Sequence, residues 1–273
     1  MVDVHEETDE GRAVVSSAPQ QEQRETDPAT PIITVRGIRK FYGHVEALRG
    51  IDLELMAGEV HALVGDNGAG KSTLVKIIAG AIQASEGEVL LDGRPVQFSD
   101  PSEALAAGIS TVYQSLALVG CRTIAANLFL GREPTRFGFV RSKEISTKAG
   151  EMLAELRQMN ITEIHAEVDD LSGGQRQAVA IARGVRLGQR VLILDEPTAA
   201  LGVREAAGVL ELIRALRGSH RTLLIVSHNL QHVFDVSDRI TVLRAGRKVG
   251  TMRRDQTTAD QIVSMITGST EAA

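Results

Sequence analysis

The second half of the chain contains two uninterrupted apolar runs, each followed by polar residues. They lie in "RVLILDEP" (190–197) and "RTLLIVSHN" (221–229). Leucine-rich and β-branched runs of this kind are typical of parallel strands that are buried on both faces. Between them, "REAAGVLELIRALRGSH" repeats apolar residues at three- and four-residue spacing, which predicts an amphipathic crossover helix. The pattern therefore predicts an α/β fold around a mostly parallel sheet.

The first third of the chain reads as short strands instead. "IITVRGI" and "IDLELMAGEVHALVG" alternate or run apolar, with Gly50 and Gly58 as interruptions. In "GEVLLDGRPVQF" (87–98), Asp92-Gly93 separates two apolar runs, which is a strong signal for a hairpin. "RITVLRAGRKVG" predicts another hairpin near the C-terminus.

Helical spacing dominates from about residue 100 to residue 165. In "STKAGEMLAELRQMN" we expect an amphipathic helix with Ser146 or Thr147 as its N-cap. The chain closes with "TTADQIVSMITG", where Thr258 and Gln261 fit a capping box and Gly268 a helix stop.

The net charge of −5 comes from one end of the chain. Residues 1–30 hold eight acidic residues against two arginines, and the remainder holds 28 basic and 27 acidic residues. We expect this polar, acidic segment to be disordered, since it cannot bury enough apolar surface to offset its ordering entropy. The nearly neutral remainder has no basic excess, which argues against a nucleic-acid partner.

Other sequence features narrow the cellular setting. The N-terminal segment lacks the basic and apolar regions of a secretory signal, and no segment has the roughly 18 uninterrupted apolar residues of a membrane span. The single cysteine, Cys121, excludes an internal disulfide and suits a reducing compartment.

The segment "GDNGAGKST" matches the phosphate-loop pattern G-x-x-x-x-G-K-[ST], between an apolar strand and a predicted helix. Backbone N–H groups of such a loop converge on phosphates at the N-terminus of the helix. Lys71 would reach the β- and γ-phosphates, and Ser72 would be a ligand of Mg²⁺. The predicted nucleotide-binding residues here are Gly65, Asp66, Asn67, Gly68, Ala69, Gly70, Lys71, Ser72 and Thr73. Alone, the motif fits kinases, GTPases and ATPases.

Asp195 and Glu196 end the apolar run "VLILDEP". Ligands of α/β folds bind at the carboxyl ends of the strands, so Asp195 would hold Mg²⁺ through water. Glu196 is then placed to activate the attacking water. His228 ends the other long strand at the same sheet edge, where it could touch the γ-phosphate. Gln114 follows "GISTVYQ" in the same manner and could touch Mg²⁺ or water.

A second helix start, in "DLSGGQRQA" (170–178), also has the composition of a phosphate-facing end. "GDNGAGKST", Gln114, "LSGGQ", "VLILDEP" and His228 occur in the order and spacing of ABC transporter ATPases. The chain resembles that family over about residues 35–250, and "LSGGQ" is its signature among phosphate-loop proteins.

The resemblance implies a P-loop NTPase (RecA-like) core with a central, mostly parallel sheet, an antiparallel β subdomain and a helical subdomain. It places the ATPase domain at 31–268, with the helical subdomain at about 100–180, an acidic tail at 1–30 and a C-terminal tail at 269–273. It also implies ATP and Mg²⁺ as cofactors, with Ser72, Gln114 and Asp195 as metal-binding residues.

Further roles follow only from the resemblance. "RKFYGHVEAL" resembles the adenine-stacking segment and places Tyr42 against the base. Ser172, Gly173, Gly174 and Gln175 would face the γ-phosphate held by the Lys71 of a partner. Because the chain has one cassette, the partner would be a second copy, and an isolated monomer would hydrolyse ATP poorly. Glu196, His228 and Gln114 would carry the hydrolysis.

The segments "EPTAALGVRE", "NLFLGRE" and "VSHNLQHVFDVSDRITVLRAGR" resemble monosaccharide-import ATPases. Such a subunit would lie peripherally on the cytoplasmic face of the membrane. It would bind transmembrane permease subunits and depend on an extracytoplasmic sugar-binding protein. By the same resemblance, the segment "SLALVGCRTIAANLFLGRE" (115–133), between Gln114 and the signature, would contact a cytoplasmic helix of the permease.

This chain departs from the family pattern in two ways. It carries one cassette where many monosaccharide-import ATPases carry two, and it has Gly202 where most ABC ATPases have an aspartate. Three alternatives stay open: an ABC ATPase with another cargo (lipid, peptide or metal export), a soluble ABC ATPase outside transport, and a nucleotide switch without hydrolysis. Glu196 and His228 disfavour the last.

Overall fold

The computed structural model describes residues 30–156, 161, 163–188, 190–217 and 221–269. The predicted acidic tail at 1–30 and the predicted C-terminal tail at 269–273 therefore lie outside the described residues, apart from Thr30 and Ser269. The strands are β1 (Pro31–Tyr42), β2 (Val45–Met56), β3 (Val60–Val64), β4 (Glu86–Leu91), β5 (Arg94–Val96), β6 (Ile109–Val112), β7 (Thr135–Arg136), β8 (Phe139–Val140), β9 (Val191–Asp195), β10 (Thr222–Val226), β11 (Arg239–Arg244) and β12 (Arg247–Arg253). The helices are α1 (Lys71–Ile78), α2 (Pro101–Ala106), α3 (Ile124–Phe129), α4 (Ser142–Leu156), α5 (Gly173–Leu187), α6 (Val203–Arg217), α7 (Leu230–Val236) and α8 (Ala259–Thr267).

A six-stranded sheet in the order β12-β11-β3-β10-β9-β6 forms the centre of the fold. Its pairs from β11 through β3, β10 and β9 to β6 are all parallel, and only β12 is antiparallel to its neighbour. Every residue of β3 and β10 is buried, as expected for strands with both faces covered. The predicted central strands and the predicted β11–β12 hairpin are thus confirmed.

A second sheet packs beside the first, in the order β2-β1-β4-β5 with antiparallel pairing. The predicted hairpin at Asp92-Gly93 is confirmed, and both residues have positive φ, 51° and 73°. The prediction that Gly50 separates two strands is wrong. The strand β2 runs through Gly50, which has φ 78° and lies at a shift in the register between Ile51 and Arg49.

Three helices, α3, α4 and α5, lie between β6 and β9 in the sequence. The helix α4 begins at Ser142, so the prediction of an N-cap at Ser146 or Thr147 is wrong. The Thr147 hydroxyl instead donates a hydrogen bond of 3.0 Å to the carbonyl of Lys143, one turn earlier. The capping box of Thr258 and Gln261 and the helix end at Gly268 (φ 82°) are confirmed.

Two large apolar clusters fill the space on the two sides of the central sheet. One joins α3, α5 and α6 to β9 and β10, and the other joins α1 and the antiparallel sheet to β3 and β9. The strand β9 supplies alternate residues to each cluster: Leu192 and Leu194 to the first, Val191 and Ile193 to the second. The strand that ends in Asp195 therefore packs against both apolar clusters, one on each of its faces.

Candidate active site

The carboxyl ends of β3, β10, β9 and β6 lie at one edge of the central sheet. Leu63 pairs with Val226, which in turn pairs with Asp195, and Leu194 pairs with Val112. The predicted phosphate loop follows β3, and the residues that end β9 and β10 come next to it in the sheet. This edge is where open α/β sheets bind their ligands.

The phosphate loop connects β3 to α1 through backbone conformations that favour glycine. Gly65, Gly68 and Gly70 have φ values of 149°, 82° and 103°. A Cβ on Gly70 would meet Leu48 Cδ2 at 2.6 Å and the Ala47 carbonyl oxygen at 3.0 Å. Around Gly68 there is no such contact within 4 Å, so there the backbone angle alone favours glycine.

The end of β11 and the β11–β12 turn pack against this loop. The Gly246 N–H donates a hydrogen bond of 3.1 Å to the Ala69 carbonyl, and a Cβ on Gly65 would overlap the Leu243 carbonyl oxygen. Sequence reasoning did not identify Leu243 and Gly246 as supporting residues. They lie next to the loop because β11 pairs with β3, the strand that precedes the loop.

Lys71 is the first residue of α1 and is 7% exposed. Its Nζ donates hydrogen bonds to the loop carbonyls of Gly65 (2.6 Å) and Asp66 (3.0 Å). Burial lowers the pKa of the Lys71 ammonium, and the carboxylates of Glu196, Asp66 and Asp195 oppose that shift. The ammonium is thus held inside the loop where phosphate oxygens would bind.

Asp195 is the last residue of β9 and lies beside Glu196. Burial first, and then the charge of Glu196, raise the pKa of the Asp195 carboxyl, while Lys71 and Lys76 act in the opposite direction. The two adjacent carboxylates offer oxygen donors of the type that divalent cations prefer. The Ser72 hydroxyl is exposed at the start of α1.

Glu196 adopts a left-handed backbone conformation, with φ 52°. Its N–H donates a hydrogen bond of 2.9 Å to the Val226 carbonyl at the end of β10, which holds this conformation in place. Non-glycine residues in this region of φ/ψ space are uncommon and concentrate at functional sites. The turn directs Glu196 towards the next strand end.

There, His228 Nδ1 lies 2.9 Å from Glu196 Oε1. The Glu196 side chain is 16% exposed and the His228 side chain 68% exposed, so the pair lies at the mouth of the site. The structure therefore brings Lys71, Asp195, Glu196 and His228 together at one sheet edge. Gln114 is exposed two residues beyond the end of β6, at the same edge.

Tyr42 ends β1 and is 48% exposed. Lys40 Nζ lies 5.4 Å from the centre of the Tyr42 ring. An exposed ring next to a cation is compatible with stacking of a base, which the sequence predicted for this residue.

The signature segment forms the start of α5, a helix of 15 residues. The Ser172 hydroxyl accepts a hydrogen bond of 3.3 Å from the Gln175 N–H, and the Gln175 side chain accepts one of 3.0 Å from the Ser172 N–H, which completes a capping box. Gly174 is buried, whereas Ser172 is exposed. The segment thus presents a well-formed helix N-terminus at the surface.

Glu205, in the first turn of α6, also reaches the signature segment. Its carboxylate accepts hydrogen bonds from the N–H groups of Gly174 (3.4 Å) and Gly202 (3.3 Å), and from the Ser172 hydroxyl. No sequence motif singles out Glu205. These contacts of Ser172 and Gly174 are with the start of α6, and they show that the signature is linked to the segment after Glu196.

His232 also connects the segments that follow β9 and β10. His232 Nδ1 lies 2.9 Å from the hydroxyl of Thr198, and Asn229 Oδ1 accepts a hydrogen bond of 3.2 Å from the His232 N–H. This bridge connects the turn after β9 to α7, the helix that follows His228. Sequence reasoning missed it, because neither residue carries a recognisable motif.

Comparison with known proteins yields a family model and many relatives. The model described as "ABC transporter" matches residues 48–199. The fructose import ATP-binding protein of Rhizobium meliloti is 47% identical over 88% of this chain and 95% of its own length. The xylose/arabinose import ATP-binding protein of Sulfolobus acidocaldarius is 42% identical over 86% of this chain and 94% of its own length.

A third relative is longer. The ribose import ATP-binding protein of Escherichia coli O157:H7 is 42% identical over 88% of this chain, but the match covers only 47% of that protein. The chain therefore spans about half the length of the ribose relative and nearly all of the fructose relative.

Among solved structures, a nucleotide-free ATP-binding cassette from an ABC transporter superposes with a TM-score of 0.75 at 25% identity, covering 86% of this chain and 98% of that chain. A dimeric cassette in a post-hydrolysis state, bound to ADP and phosphate, gives a TM-score of 0.69 at 26% identity, covering 81% and 98%. The fold is that of these cassettes.

Proposed function

This chain belongs to the ABC transporter family, and from that premise we propose that it is the ATP-hydrolysing subunit of an importer for a monosaccharide. The observation that carries the proposal is the set of Lys71, Asp195, Glu196 and His228 at one edge of the sheet, with Glu196 Oε1 2.9 Å from His228. The import of a sugar rests on the names of the fructose, ribose and xylose/arabinose relatives.

In the proposed reaction, water attacks the γ-phosphate in line with the leaving oxygen of ADP. Such a reaction requires mainly positioning and charge stabilisation from the protein. The Lys71 ammonium exchanges the Gly65 and Asp66 carbonyls for phosphate oxygens, and the loop N–H groups bind the same phosphates. The Glu196 carboxylate accepts the proton of the water, and His228 orients Glu196 and contacts the γ-phosphate.

Mg²⁺ would be held by Ser72, Asp195 and Gln114, and it would neutralise charge that develops on the phosphates. The donor set fits this hard cation, because a hydroxyl, a carboxylate and an amide oxygen lie at the same edge of the sheet. The raised pKa of the Asp195 carboxyl reflects a negative charge that a cation would stabilise.

The proposed assembly pairs two copies of the chain, so that Ser172, Gly173, Gly174 and Gln175 of one face the γ-phosphate bound by the other. The dimeric cassette among the structural relatives supports this arrangement. ATP binding would close the dimer and hydrolysis would release it, which would move the permease. By this proposal the isolated monomer has half of each site and low activity.

The permease contact is proposed for residues 115–133, the segment between Gln114 and the signature. Its exposed apolar side chains include Val119 (37% exposed) and Leu130 (42%), and the adjacent β7–β8 hairpin exposes Phe137 (87%) and Phe139 (79%). Exposed apolar residues that lie close together often mark an interaction surface. No helix in the described part of the chain has the length and apolarity to cross a membrane.

Uptake of labelled sugars tests the proposed cargo. Deletion of the gene should abolish uptake of one sugar among fructose, ribose, xylose and galactose, and the wild-type gene should restore it. Glu196→Gln should fail to restore it, because the amide cannot accept the proton from water. The control is Glu211→Gln, which removes an equal charge from an exposed residue of α6 and should restore uptake. Unchanged uptake of every pentose and hexose would rule out the sugar assignment and leave an ABC ATPase with another cargo.

A further inference from the structure

The carboxylate of Glu205 lies where the N-termini of two long helices meet. Both α5 and α6 span 15 residues. Glu205 Oε1 accepts a hydrogen bond from the Gly174 N–H of α5, and Oε2 accepts one from the Gly202 N–H just before α6. Each helix contributes partial positive charge at its first turn, so two helix dipoles stabilise one anion.

Two glycines lie beside this carboxylate, and a Cβ on either would be in ordinary van der Waals contact with it. A Cβ on Gly173 would lie 3.7 Å from Glu205 Oε2, and a Cβ on Gly202 would lie 3.9 Å from the same atom. The hydrogen bond with the Ser172 hydroxyl, followed by those of Gly174 and Gly202, lowers the pKa of the Glu205 carboxyl. An ionised carboxylate therefore already satisfies the anion-binding groups of the signature segment.

The same groups are the ones that the proposed dimer offers to ATP. The Ser172 hydroxyl and the Gly174 N–H cannot bind a carboxylate and a γ-phosphate at once, because two anions at one position repel each other. Resting on the proposed function, we propose that Glu205 is an internal competitor: it occupies the signature anion site of the free subunit, and the γ-phosphate of the ATP on the partner subunit displaces it when the dimer closes.

This competition gives Glu205 two opposite effects. In the free subunit it stabilises the start of α5 and of α6, since it satisfies N–H groups that would lack a partner within the helix. During dimer formation it opposes closure, since its hydrogen bonds must break before phosphate can bind. A residue with a merely structural role would support both the free subunit and the dimer.

The test measures ATP-dependent dimerisation of the full-length chain. The parent is Glu196→Gln, which we expect to bind ATP without hydrolysing it, and sedimentation velocity gives the dimer fraction as ATP–Mg²⁺ is increased. Adding Glu205→Gln or Glu205→Ala should lower the ATP concentration at half-maximal dimer by about tenfold, because a charged competitor is removed. Adding Glu211→Gln, on the same helix, should leave it unchanged.

Thermal unfolding without nucleotide separates competition from a folding effect. Glu205→Ala should lower the Tm of the free subunit while it strengthens the dimer, so the two measurements should move in opposite directions. An unchanged or higher ATP requirement in both Glu205 variants would overturn the proposal. If the Glu196→Gln parent itself forms no dimer at any ATP concentration, the proposed dimer fails and this inference falls with it.

Discussion

The chain contains two helix starts that the sequence predicts to bind phosphate, and they differ in what satisfies their N–H groups. At the start of α1, Gly70 is the N-cap with φ 103°, and no side chain caps the helix. At the start of α5, Ser172 and Gln175 form a capping box, and Glu205 adds a carboxylate. The first end leaves its backbone N–H groups for a ligand, whereas the second is already satisfied by its own chain.

This difference indicates that the two predicted phosphate sites are of different kinds. The loop before α1 is supported on several sides, by Ala47, Leu48, Leu243 and Gly246, and holds a buried Lys71. We infer that this loop binds ATP in a single subunit. The start of α5 is at the surface and its N–H groups have partners within the same chain, so we infer that it acts only when a second subunit brings a phosphate.

The largest effect that tests this comparison is expected from Lys71→Ala. ATP affinity of the single subunit should fall on the order of a hundredfold, because a buried ammonium would no longer bind the phosphates. Isothermal titration calorimetry with ATP measures the change. Lys76→Ala, on the exposed face of α1, should retain near wild-type affinity. Equal losses in both variants would mean that net charge, and not the position inside the loop, binds ATP.

A smaller and more selective effect is expected from Ser172→Ala. Removing the N-cap should cost about 1 kcal/mol of unfolding free energy, and it should reduce ATP turnover about tenfold because one donor to the γ-phosphate is lost. ATP binding to the single subunit should be unchanged. Steady-state ATPase rates and denaturant unfolding measure the two effects.

Thr258→Ala is the matched control, since Thr258 also heads a capping box, at the start of α8. It should cost similar stability but leave turnover unaffected. If Ser172→Ala weakens ATP binding to the monomer, the two helix starts serve one nucleotide in one chain and the comparison fails.

The smallest effect concerns the charge next to the phosphate loop. The pKa of the Asp195 carboxyl is raised in the folded state by burial and by Glu196. Below the ordinary carboxyl pKa, both folded and unfolded states are protonated and the group contributes nothing. As the pH rises from the ordinary carboxyl pKa to the folded pKa, the unfolded state has lost its proton while the folded state still holds it. Stability therefore falls over this range of pH.

Asp195→Asn should therefore raise the Tm of the nucleotide-free protein at neutral pH. The gain should shrink as the pH falls below the folded pKa of Asp195, and the same variant should lose Mg²⁺-dependent turnover. Calorimetric scans over a range of pH measure the stability effect. A lower Tm at neutral pH would show that Lys71 and Lys76 outweigh the burial of Asp195 and its repulsion by Glu196.

Much of this organisation was predictable from local patterns. The apolar runs predicted β9 and β10, because a strand that is buried on both faces has an almost continuous apolar sequence. The phosphate loop and the hairpin at Asp92-Gly93 were predictable because glycine spacing determines local backbone geometry. The start of α4 was mispredicted, since Ser146 and Thr147 are adequate caps and no local signal favoured Ser142 over them. The roles of the individual site residues and the domain bounds stay predictions.

Local patterns predicted which residues would carry chemistry, because motifs such as "GDNGAGKST" and "LSGGQ" combine residue type with local backbone shape. The folded structure was needed to reveal that Gly246 supports the phosphate loop, that His232 contacts Thr198, and that the Glu205 carboxylate occupies the start of the signature helix. These contacts join residues that are 31 to 177 positions apart or that lie on separate elements. Sheet pairing and helix packing set them, and no local pattern encodes the distance between two strands that meet only after folding.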